Sequence, residues 1–134
     1  MIEARSGLVI RYSYLWLREH ERGEESGRKA RPVCVQILFA GVPGGEKTLL
    51  FPITGQAPLP GVGALPLPET EARRVGLRTP AWIIVEEWHE DDLTVSDSIE
   101  DTQPLGAFSK TFVLRIREAA IAAIRSRRYR FVKR

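Results

Sequence analysis

Cysteine and histidine are scarce in this 134-residue chain, with one Cys at position 34 and two His at 20 and 89. A lone thiol excludes an internal disulfide, and one Cys with two His excludes the usual zinc-ribbon and zinc-finger sets. Long apolar runs are missing as well. None nears the roughly 18 residues that span a bilayer, so no membrane partner is expected. A P-loop, a dinucleotide fingerprint and a His pair at metal spacing are all lacking, so no cofactor or metal is expected. No Ser sits in a nucleophile-elbow context. The first residues show no basic flank leading into an apolar signal core, and the expected location is the cytoplasm.

The chain is 43% apolar and 28% charged, which fits a single domain over residues 1–134. Its net charge of +3 conceals an asymmetry. Residues 125–134 carry six cations and no acid, and without them 14 basic residues face 17 acidic ones. Residues 86–101 hold eight acids and no Lys or Arg. A basic tail attracts phosphate backbones or acidic partners. It could equally trim a helix end or dock against the acidic stretch.

Leu8, Ile10, Tyr12, Tyr14 and Trp16 recur at period two, the pattern of a half-buried strand. Residues 18–30 are charged and read as a long exposed loop. Residues 31–39 read as a second, more buried strand, with Pro32 near its start because proline cannot donate to a ladder. After a turn at 41–45, residues 47–54 form a third strand. Twelve of the twenty Gly and Pro residues lie between 41 and 68, which forbids a long helix there. A short strand at 63–67 and one helical turn at 69–74 are expected, then a strand at 81–88 and a polar loop at 89–107. Phe112, Ile116, Ala119, Ala120, Ala123 and Ile124 mark one face of a helix over 109–127. The expected fold is therefore mainly β (α+β), a small bent antiparallel sheet followed by one packing helix.

Few residues invite chemistry. The cluster His89-Glu90-Asp91-Asp92 lacks the spacing of a metal loop and reads as a solvated acidic segment. Arg31 precedes Pro32, which biases its backbone to extended conformations at the mouth of a strand. A guanidinium there suits bidentate phosphate recognition, although pairing with Glu24 or Glu25 is the plainer alternative. Thr54 ends the third strand before Gly55 and Gln56. Its hydroxyl is accessible to a ligand, although such residues commonly cap a turn. Trp82 and Trp88 could stack on bases, but both sit in an apolar strand, and Trp82 is expected in the core.

Taken together, the segments Gly7-Leu8-Val9-Ile10, Gly27-Arg28-Lys29-Ala30-Arg31-Pro32-Val33 and Pro52-Ile53-Thr54-Gly55-Gln56 resemble the MazF/PemK-like toxins. Residues 11–17 and 28–32 look most like a PemK-related growth-inhibitor branch. Gly55 stands where that branch often has a His, and the loop before Arg31 is longer than in the core family. The resemblance implies an SH3-like barrel, a homodimer and a metal-independent endoribonuclease that cleaves single-stranded RNA. It further implies a cytoplasmic toxin of a type II toxin–antitoxin pair, held inactive by an antitoxin protein. Carried over by residue, Arg31 and Thr54 would be catalytic, and Gln56, Arg28 and Lys29 would line the RNA groove. The alternative is a non-catalytic RNA- or protein-binding module on the same barrel, motivated by Gly55 and by the acidic stretch 86–101.

Overall fold

The computed structural model describes residues 5–14, 16, 30–38, 46–94, 96, 98–101 and 103–133. In chain order the elements are β1 (Leu8–Tyr12), β2 (Arg31–Leu38), β3 (Lys47–Thr54), β4 (Ala64–Pro66), α1 (Glu69–Arg74), β5 (Trp82–Ile84), β6 (Glu87–Glu90), β7 (Gly106–Ala107), α2 (Lys110–Arg125) and β8 (Arg130–Lys133). The eight strands form one sheet in the order β4-β5-β3-β2-β1-β7, with β6 beside β3 and β8 beside β6. It curls into a half-barrel, mostly β with a helix near the C-terminus, as the sequence pattern implies. All pairings are antiparallel except that of β6 with β8, which is parallel. No helix among the described residues is long and apolar enough to cross a membrane.

Alternation along the central strands buries both sheet faces. Val9, Cys34, Leu49, Phe51, Ile53 and Trp88 face one core, which α2 closes with Phe112, Ile116 and Ala120. Leu8, Ile10, Tyr12, Val33, Val35 and Leu50 face the other, together with Tyr14 and Leu93. Because successive Cβ atoms point to opposite faces, neighbours such as Val9 and Ile10 serve different cores. Strands buried on both sides explain why β2 and β3 read as nearly continuous apolar runs. In β1 the exposed Arg11 interrupts the pattern.

Helix α2 follows its expected periodicity, and Ser109 caps its N-terminus by accepting from the Phe112 N–H at 3.2 Å. The expected strand over 81–88 is divided. Between the β3–β5 and β3–β6 ladders the register shifts by three residues, so the strand bulges near Val85 and Glu86 and resumes as β6. The polar segment 89–107 is accordingly less of a loop than its composition suggests. It contains the end of β6, a bridge from Ile99 to Tyr12, and β7. The basic tail is a strand: β8 aligns Arg130 with Glu87 and Lys133 with Glu90, so the cationic terminus does dock on the acidic stretch. The loop at 18–29 and the turn at 41–45 lie outside the described residues.

Candidate nucleic-acid interface

β2 begins at Arg31 and β3 ends at Thr54. The ladder between them pairs Val33 with Pro52 and Cys34 with Phe51. Continuing that register by two residues sets Arg31 opposite Thr54, so both side chains belong to one face of the sheet. Both are half-buried and both line one open cleft of about 240 Å³, with Ala30, Pro32, Ile53, Gly55, Leu77, Arg78 and Ala81.

The Arg31 guanidinium carbon lies 5.5 Å from the ring centroid of Trp16. Trp16 meets Tyr14 edge-on at 5.3 Å, and the Tyr14 hydroxyl donates to Glu87 Oε2 at 2.8 Å. Burial and the Glu87 carboxylate raise the Tyr14 phenol well above its ordinary value, so it stays a neutral donor. Arg31 is thus braced by an aromatic tier whose far end is tied to β6. Cation–π packing of this kind restricts the fork without consuming its N–H donors.

Thr54 does cap a turn: its Oγ1 accepts from the Gln56 backbone N–H at 3.1 Å. That bond uses one lone pair and leaves the hydroxyl proton available to a ligand. Gln56 is exposed beside the cleft but does not line it. Arg28 and Lys29 lie outside the described residues. Arg78 is the lining residue that sequence reasoning missed. It lies two residues before Pro80, whereas Arg31 directly precedes Pro32, so no shared local signal marks it. Among the described residues, neither Arg31 nor Arg78 has a carboxylate within ion-pairing distance.

Trp82 corrects an expectation. It is half-buried rather than in the core, because it pairs with Thr54 and occupies that face of β5 instead of the Ile83 face. Trp88 is buried against Phe51 as expected. The His89 imidazole is fully buried against Tyr12 and Tyr14, so the 89–92 cluster is not a solvated loop at its first residue. Among the described residues no group of His, Cys, Asp and Glu side chains assembles a metal site.

Two cations and one hydroxyl at a shallow opening form an anion-binding arrangement. It offers N–H and O–H donors to an anionic group. Its described lining contains no carboxylate or imidazole to carry a proton near neutrality. No protein-family model, curated protein or solved structure matches the chain.

Proposed function

We propose that the protein is a metal-independent endoribonuclease that cleaves single-stranded RNA, acting as the toxin of a type II toxin–antitoxin pair. One observation carries the reading: Arg31 and Thr54, far apart in sequence, line the same cleft. The resemblance to MazF/PemK-like toxins singles out the same two residues. In this reaction an RNA 2′-oxygen bonds to the adjacent phosphorus as the bond to the 5′-oxygen breaks. The products are a cyclic phosphate and a free 5′-hydroxyl. Negative charge builds on the non-bridging oxygens, where Arg31 donates and the Thr54 hydroxyl adds a second bond. Arg78 offsets the charge of the incoming backbone. In the same reading Gln56, with Arg28 and Lys29, contacts the RNA, the chain is a cytoplasmic homodimer, and an antitoxin protein covers the cleft.

Replacing Arg31 by Ala is expected to leave the circular dichroism spectrum unchanged and to slow RNA cleavage by ~10²–10³, the usual effect of losing a preorganised donor. Cleavage at the wild-type rate in Arg31→Ala would end the reading. A second reading, a module that binds RNA without cutting it, is favoured by the lack of a proton-transfer group among the described lining residues. Tight binding of single-stranded RNA by the wild-type chain with no cleavage would select it.

A further inference from the structure

The C-terminal strand carries a feature that the cleft does not use. Tyr129 and Phe131 both stack on the indole of Trp88, with centroids at 5.1 and 6.2 Å and planes inclined by only 8° and 13°. Their own planes differ by 21°. Trp88 beneath them is 3% exposed, whereas Tyr129 and Phe131 are 36% and 44% exposed. The result is a pair of partly exposed rings lying parallel to a buried indole. Phe131 is paired with Trp88 across the β6–β8 ladder, and Trp88 packs on Phe51 of β3, so the tier extends a row of rings rooted in the core.

Its neighbours in the chain are mostly cationic, with Glu90 aligned beside Lys133 across the β6–β8 ladder. Arg125, Arg127 and Arg128 precede the rings and are exposed. Lys133 follows Phe131 by two residues on the same side of β8 and is also exposed. This tier lies on the sheet face of Phe51, whereas Arg31 and Thr54 belong to the other face, and none of its residues lines the cleft.

We infer that the Tyr129–Phe131 tier with its rim of Arg127, Arg128 and Lys133 is a binding site for single-stranded nucleic acid. Unpaired bases stack on the exposed rings, and the backbone phosphates meet the rim. Flat, solvent-facing rings accept any base, and clustered cations supply a salt-dependent attraction. An acidic protein would meet the same charges but would gain nothing from two rings held parallel to a buried indole. The inference stands on this geometry and not on cleavage at Arg31.

The test is titration of a fluorescent oligouridylate into the Arg31→Ala protein, in which slowed cleavage spares the probe during the measurement. Adding Tyr129→Ala with Phe131→Ala is expected to weaken binding about tenfold or more. Arg128→Gln and Lys133→Gln should each lower the slope of log affinity against log salt by about one. Tyr129→Leu with Phe131→Leu keeps a cover over Trp88 while removing the ring faces, so it tests stacking if the alanine pair fails to fold. Unchanged oligouridylate affinity in the leucine pair would overturn the inference. Equal affinity for a base-paired duplex would do the same, since it would reduce the site to charge alone. A shift from dimer to monomer in sedimentation, with oligouridylate affinity intact, would assign the rings to a second copy of this chain instead.

Discussion

Arg31 and Thr54 show how differently two residues reach one site. Thr54 spends a lone pair on its own turn and so holds a fixed direction, while Arg31 depends on a ring borrowed from Trp16. Cys34 is a contrast on the opposite face of β2. It is fully buried, and burial pushes its thiol from 9.0 to about 12. Because the folded value lies above the unfolded one, the thiol's contribution to stability is complete below pH 9. It is lost as pH rises from 9 towards 12. Unfolding free energies from denaturant titrations should fall above pH 9 with a slope approaching about 1.4 kcal/mol per pH unit. Cys34→Ala should remove that component and leave the later alkaline loss from Tyr14, whose phenol is raised for the same reason. Identical pH slopes in the two proteins would mean that the thiol is not sealed in the core.

At the level of elements, α1 and α2 are joined by a two-pronged polar contact. Glu71 on α1 accepts from the Ser109 backbone N–H at 2.9 Å and from its hydroxyl at 2.7 Å. Ser109 meanwhile caps α2 through the Phe112 N–H. One carboxylate therefore orients the hydroxyl that starts the helix, and its charge complements the helix N-terminus. Ser109→Ala should cost about 1 kcal/mol of stability, the usual worth of an N-cap. Glu71→Ala should cost a similar amount in thermal or denaturant unfolding. The double variant should lose less than the sum, since both changes break the same cap. Full additivity would show that Glu71 acts through α1 alone.

The same scale explains what was legible beforehand. β3 matches its expected bounds at Lys47–Thr54, and α2 falls within one to two residues of them, because each has a clear period and clear end signals. β8 and the second half of β6 were hidden by charge. In Glu-Trp-His-Glu and Arg-Phe-Val-Lys the polar ends outweigh two buried residues in the first and one in the second, and pairing the two segments helps to bury Trp88 and Val132. Such a strand has no local signature, since its partner lies some forty residues away in the chain. Arg31 and Thr54 were visible as residue types at strand ends, but their meeting depends on the β2–β3 register. Arg78 had no motif to announce it, because its place in the cleft comes from the chain path between α1 and β5 rather than from any ladder.

For the whole molecule, the acidic and basic segments cease to be two surfaces and become one parallel seam. Glu87 aligns with Arg130 and Glu90 with Lys133, while Glu90 also pairs with Lys47 at 3.0 Å. The Lys47–Glu90 pair is half-buried, and a single ion pair at the edge of solvent stabilises only modestly. What holds the seam is apolar: Val132 is 6% exposed, and Tyr129 and Phe131 cover Trp88. The terminal strand should therefore matter through burial more than through charge. A chain ending at residue 126 loses five cations, moving the net charge from +3 to −2, and also loses the cover over Trp88. It should be less stable by several kcal/mol, on the order of 1.5–3 for each buried side chain removed. Its tryptophan emission should shift to the red as Trp88 meets water. A full-length chain with Arg127, Arg128 and Lys133 changed to Gln separates the two contributions. It should keep wild-type stability and the wild-type emission maximum while losing attraction for RNA at low salt. If the charge variant unfolds as readily as the truncated chain, the seam is electrostatic, and the basic tail is structural before it is anything else.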